Sequence, residues 1–195
     1  LTLWSLHPFP SMVKVPQYPE VALDDVMRTT VPFDDSYSLC GHDMVRDETR
    51  ANLETVKAIS IDDKVAFWQQ VMQYARDRGI EVYIFTWNIF TFSADGKYGI
   101  THEQDNIRTI EYFRASVREL ILTYPLLAGI GITAGEQMED RDDEYSKERW
   151  LWQAYGEGVR DALQQQPERD FRVIHRYHQT EIGRASCRER VCHRV

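Results

Sequence analysis

Four segments rich in β-branched and aromatic residues recur along the 195 residues, each parted from the next by a helical pattern, and this rhythm limits the fold more than any other feature. The segments are 2–6, 80–87 (IEVYIFTW), 127–133 and 171–177 (FRVIHRY), and such residues suit a pleated, largely buried surface. The third alternates small residues with Ile, as a strand tightly flanked by neighbours does. Between the second and third, Ile107, Ile110, Phe113, Val117, Leu120 and Ile121 recur at steps of three and four. This predicts an amphipathic helix over 101–123, opened by a capping box from Thr101 to Gln104 and closed by Tyr124-Pro125. Ser60 and Asp63 form a second capping box, for a helix through Val65, Trp68, Met72 and Ala75 that ends at Gly79. Ser146 is the expected cap of a third helix presenting Leu151, Tyr155, Val159 and Ala162. Strand, helix, strand in units of about forty to fifty residues indicates parallel βαβ connections.

Residues 8–59 break the rhythm. They hold five of the seven prolines and the polar run DDSYSLCGHDMVRDETR, followed by a weak helical pattern near 50–59. A connection this long after a strand is expected to be an elaborated βα loop over a site, or an ordinary surface insertion. At the other end, EIGRASCRERVC (181–192) resembles the translation of a short-read sequencing adapter, which sets 181–195 apart as a non-native, metagenomic-type tail and leaves 1–180 as the native domain. Without 181–195, 19 basic and 29 acidic residues remain, so the net charge moves from −8 to −10 and Cys40 is the only cysteine. That acidity argues against a nucleic-acid partner. No apolar run has the length of a membrane span.

Neither GxGxxG nor GxxxxGK[ST] occurs, so a nucleotide-binding doubly wound sheet is disfavoured. Polar and aromatic residues gather instead where strands end: Trp4 and His7, then Thr86, Trp87 and Asn88, then Thr133 and Glu136, then His175, Arg176, Tyr177 and His178. Functional groups at several strand ends mark the C-terminal face of a (β/α)8 TIM barrel. Four strands amount to half of one, so the expected fold class is α/β, a partial TIM barrel with about four parallel strands. On the second strand, Val82, Ile84, Thr86 and Asn88 share a face, expected to line the barrel, with Tyr83 and Phe85 packed outward against helices. Trp87 at the rim suits stacking on a sugar ring, or core packing.

Glu136 follows AGIGITAG, so a carboxyl stands just past an apolar strand, where desolvation favours the protonated form and general-acid work. Its plain alternative is a solvated loop residue beside Glu139, Asp140 and Asp142–Glu144. Ile174, Arg176 and His178 share one strand face, His175 and Tyr177 the other. An arginine there pairs with a substrate carboxylate and a histidine bonds sugar hydroxyls, or both serve salt bridges between strands. His175 and His178 lack the spacing of HExxH, and no metal site is expected.

The runs LTLWSLHPFP, IEVYIFTWNIF, LAGIGITAGEQM and FRVIHRYHQT together resemble the middle of a glycoside hydrolase superfamily barrel, of the α-glucuronidase-like kind, over about residues 1–180. The resemblance implies that the four strands are numbers two to five and that Glu136, at the end of the fourth, is the general acid. It departs from two patterns of such barrels, since Gly135 stands where retaining enzymes have Asn and substrate-assisted ones have Asp. Both mechanisms lose support. Glycoside hydrolysis normally needs two carboxyl groups, and the second is expected from a later strand outside this chain.

The expected function is therefore hydrolysis of a glycosidic bond in a carbohydrate substrate. Glu136 would donate the proton, with Trp4, His7, Trp87, Asn88, His175, Arg176 and His178 binding the sugar and no cofactor needed. The chain alone is expected to be inactive, because half a barrel leaves open edges and the remainder of the barrel is missing. Two alternatives stand beside this: a non-catalytic glycan-binding barrel, and a metal-dependent sugar isomerase or lyase on the same fold.

Overall fold

In the computed structural model the described residues are 1–31, 48, 51–87, 89–134, 138, 145–177 and 192–194. The four expected strands form as β1 (Thr2–Trp4), β4 (Val82–Trp87), β5 (Leu127–Ala134) and β6 (Arg172–Tyr177). They pair in that order and all parallel, giving a mixed α/β structure around a four-stranded parallel sheet. Neighbours in the sheet are also neighbours in the series, so the sheet has no point at which the winding reverses. The strand numbers β2 and β3 belong to Val26–Thr29 and Leu53–Lys57, an antiparallel pair inside the long insertion. Within the stretch near 50–59 where a weak helix is expected, Leu53–Lys57 is extended instead. Thr55 and Glu54 pair with Met27 and Arg28 across the ladder, and tertiary pairing overrides a marginal periodicity.

Three helical segments join the parallel strands. The first long one, α2 (Ile61–Arg76), follows a four-residue helix α1 (Phe9–Met12). Its N-terminus is capped as expected: Ser60 Oγ accepts from the Asp63 N–H at 3.1 Å and donates to Asp63 Oδ2 at 2.7 Å. Gly79 takes φ +69° just past its end, a left-handed turn that glycine adopts without steric cost. The second, α3 (Ile107–Thr123), starts five residues later than the capping box at Thr101 predicts. Asn106 is the cap, its Oδ1 accepting from the Arg108 N–H at 2.9 Å. Thr101 Oγ1 accepts instead from Asn106 Nδ2 at 2.9 Å, so the threonine braces the cap from a preceding turn. The third segment is broken: α4 (Ser146–Leu151) passes through a π-helical turn at 152–156 into α5 (Glu157–Gln165). Ser146 is its first helical residue, not its cap.

The helices lie on one face of the sheet. Val82, Ile84, Ile130 and Ile132 share a buried cluster with Met72, Tyr112, Phe113, Val117, Leu120, Val159 and Ala162. Gln69 Nε2 donates to the Thr123 carbonyl at 2.9 Å, tying α2 to α3. Arg114 makes a forked pair with Asp161 at 2.6 and 2.9 Å, tying α3 to α5. Gly158 permits that approach, because a Cβ there would sit 2.6 Å from the Arg114 carbonyl oxygen. Arg169 closes the far end, donating to the carbonyls of Ile121, Tyr124 and Leu127 at 2.5–2.8 Å, a favourable place for a cation at a helix C-terminus.

A groove of about 650 Å³ runs between the β2–β3 pair and α2, walled by Met27, Phe67, Trp68 and Phe92. Its inner polar groups are engaged. Lys64 Nζ donates to the Leu23 and Asp25 carbonyls, and Asp24 and Asp25 accept from the N–H groups of Ile61 and Ile59. Cys192–Arg194, β7, lies antiparallel on the outer edge of β6. Open strand edges accept any extended backbone, so this pairing does not bear on the origin of 181–195. Among the described residues no helix is long and apolar enough to cross a membrane.

Candidate functional site

The sheet face opposite the helices carries the side chains that alternate with the core set. Strand register ranks them in levels: Tyr83, Gly129 and Arg172; then Trp4, Phe85, Gly131 and Ile174; then Trp87, Thr133 and Arg176 at the C-terminal ends. The face expected for β4 is thus reversed. Val82, Ile84 and Thr86 point to the helices, while Tyr83, Phe85 and Trp87 point away from them. Period two fixes which residues share a face but not which way it turns. Here the apolar branched residues go under the helices, and the aromatic rings take space left by glycine. A Cβ on Gly131 would overlap the Phe85 ring, and one on Gly129 would lie 2.9 Å from the Tyr83 ring.

The lowest level is closed by charge. Arg172 Nη1 donates to Tyr83 Oη at 2.6 Å and to Glu81 Oε2 at 2.7 Å, and Tyr83 Oη donates to the same carboxylate oxygen at 2.7 Å. The Tyr83 hydroxyl, with Arg172 beside it, holds the Glu81 carboxyl below its ordinary range. Above this lies an aromatic shelf. Trp4 stacks on Phe85 with ring centres 4.5 Å apart at 29°, and Trp87 leans on Trp4 at 5.1 Å and 57°. Trp4 is 49% exposed, so the shelf offers indole surface to solvent at the end of the sheet where the strands terminate.

Beneath the shelf, on the helix side, a buried network fixes the strand ends. Thr86 Oγ1 lies 3.0 Å from the Leu6 carbonyl, to which it donates, and Tyr155 Oη donates to the Trp87 carbonyl at 3.2 Å. Tyr155 reaches that carbonyl from the π-helical turn, a departure that re-aims side chains. His7, expected to contact substrate, is 9% exposed and packed among Phe9, Tyr112 and Phe113. Its Nδ1 donates to the Phe92 carbonyl at 2.8 Å, and its Nε2 accepts from Tyr112 Oη at 3.0 Å. The tautomer follows from these partners, since a carbonyl can only accept. Burial lowers the imidazole pKa to about 4, against the raising effect of the Phe92 bond. His7 therefore ties the loop after β1 to the loop after β4. Just past Trp87, Ile89 holds φ +48°, a left-handed conformation that branched side chains avoid and that typically costs about 1–3 kcal/mol.

Of the expected binding residues, the structure brings Trp4 and Trp87 into contact and places Arg176 on the same face, two strands from Trp87. His175 is level with Ile132 and Thr86 and turns to the other face, so it and Arg176 diverge as the alternation predicts. Asn88, Glu136 and His178 lie outside the described residues. The sequence setting of Phe85, Tyr112 and Tyr155 does not mark them for the site. The signal for Phe85 was the glycine alternation of the neighbouring strand, which marks room for rings. Among the described residues no group of three His, Cys, Asp or Glu side chains is placed to hold a metal ion. Comparison of the chain with protein-family models, curated proteins and solved structures gives no significant match.

Proposed function

We propose that this chain is part of a carbohydrate-active enzyme that hydrolyses a glycosidic bond, built on a partial (β/α)8 barrel of the glycoside hydrolase kind. The observation that carries the reading is the exposed Trp4 indole, stacked on the buried Phe85 and in contact with Trp87, at the strands' C-terminal ends. Indole faces suit the C–H faces of pyranose rings, and functional sites of such barrels gather at that end. Four parallel strands in unreversed order with helices on one face support the barrel. The lower Glu81–Tyr83–Arg172 cluster then belongs to the closed bottom, where charge serves stability.

In the proposed reaction the Glu136 carboxyl gives its proton to the glycosidic oxygen as the C–O bond breaks, and water supplies the new hydroxyl. A second carboxyl group completes the chemistry. Trp4 and Trp87 hold the sugar by its face, while Asn88, Arg176 and His178 orient it; no cofactor is needed. Glu136→Gln in the complete polypeptide is expected to lower turnover of an aryl glycoside about a hundredfold, within the usual range for a lost general acid. Unchanged turnover would remove Glu136 from that role, and glycan binding without turnover in the unaltered protein would leave the non-catalytic glycan-binding barrel.

A further inference from the structure

We propose that the Thr133 hydroxyl is a substrate contact, hydrogen-bonding a hydroxyl of the sugar ring stacked on Trp87; this inference rests on the sugar-site reading above. Register puts Thr133 between Trp87 on β4 and Arg176 on β6. It alternates with Gly129 and Gly131, whose missing side chains are covered by the rings of Tyr83 and Phe85, so it belongs to the shelf face. Thr133 has no exposed surface, and among the described residues no group hydrogen-bonds its Oγ1.

A buried hydroxyl without a partner is disfavoured, and valine fills nearly the same volume without that loss. Stability alone therefore selects against threonine at this position. A ligand hydroxyl resolves the conflict. Adjacent strands lie about 4.8 Å apart, so a ring resting on Trp87 carries its equatorial substituents over β5, and a substituent that displaces the groups covering Oγ1 finds Thr133 able to donate or accept. Polar contacts of this kind discriminate between sugars, because a site left with an unpaired buried hydroxyl rejects the analogue that lacks its mate.

The test titrates the complete polypeptide with cellohexaose and with maltohexaose, followed by tryptophan fluorescence, alongside thermal unfolding. Thr133→Val is expected to raise Tm by about 2–4 °C and to weaken binding of the recognised hexaose about tenfold. Thr133→Ser keeps the hydroxyl and is expected to restore most of the affinity, which a role in packing alone would not do. Trp87→Ala, measured in parallel, separates the two levels of the proposal. Lost binding in Trp87→Ala with unaltered affinity in Thr133→Val overturns the Thr133 contact and leaves the sugar site. No binding of either hexaose by the unaltered complete polypeptide, or unchanged binding in Trp87→Ala, overturns both. A Thr133→Val chain that unfolds at lower temperature, or a Thr133→Ser chain that binds no better than Thr133→Val, also counts against the contact.

Discussion

Lowering the pH from 7 to 4 is expected to remove about 3 kcal/mol of folding free energy through His7 alone. The buried imidazole titrates near 4, against 6.5 when exposed, and each unit of difference is worth about 1.4 kcal/mol. Above pH 6.5 both folded and unfolded chains hold it neutral, and its contribution is complete. As the pH falls below 6.5 the unfolded chain takes up a proton that the folded chain refuses, so stability declines until the folded form also protonates near 4. Glu81 and Asp161 act in a lower window. Their carboxyl pKa values are lowered in the folded chain, chiefly by bonds from Tyr83 and Arg114, so their contributions persist above the ordinary carboxylate range and fade below it. Urea unfolding at pH 7, 5.5 and 4.5 separates the two. His7→Gln should be less stable at pH 7 but nearly flat between 7 and 5; a slope equal to that of the unaltered chain would dismiss His7 as the cause.

Gly131→Val is the other large effect. Its Cβ would occupy the position of the Phe85 ring, and Phe85 in turn supports Trp4. Overpacking of this kind typically costs about 1–3 kcal/mol, and the upper end is expected because the β5 backbone is held on both sides by pairing. Near-UV circular dichroism should change with it, since the tilt of Trp4 on Phe85 depends on the same ring. Adding Phe85→Ala provides the control. If ring overlap is the cause, the double variant recovers part of the loss, with a coupling of about 1 kcal/mol or more; strict additivity would locate the damage elsewhere.

How far the sequence discloses this structure depends on the kind of signal. Segments with one strong local pattern are legible: the strand 82–87, the helix through Phe113, Val117 and Leu120, and the Ser60 cap all depend on near neighbours. Thr101 illustrates the limit. It has the spacing of a cap, but Asn106 competes with a better-placed side chain, and only the folded turn decides between them. The β2–β3 pairing is non-local and escapes periodicity altogether. At the site, Trp4 and Trp87 are legible as strand-end aromatics, whereas the facing of β4 is not, because alternation is symmetric until a partner layer breaks the symmetry. His7 misleads for a related reason: a polar residue beside a strand end looks accessible until Tyr112 and Phe92, each more than eighty positions away, enclose it.

The two glycines of β5 have a consequence for how such a surface can be reshaped. At two successive levels β5 contributes backbone and no bulk, so the breadth of the floor is dictated by the neighbouring strand's rings lying across it. Depth and contour are consequently written in β4. Shortening Tyr83 or Phe85 frees space over the β5 glycines without touching the strand beneath, while enlarging β5 collides with its neighbours. The strand with the least side-chain mass thus leaves this region the most room to vary.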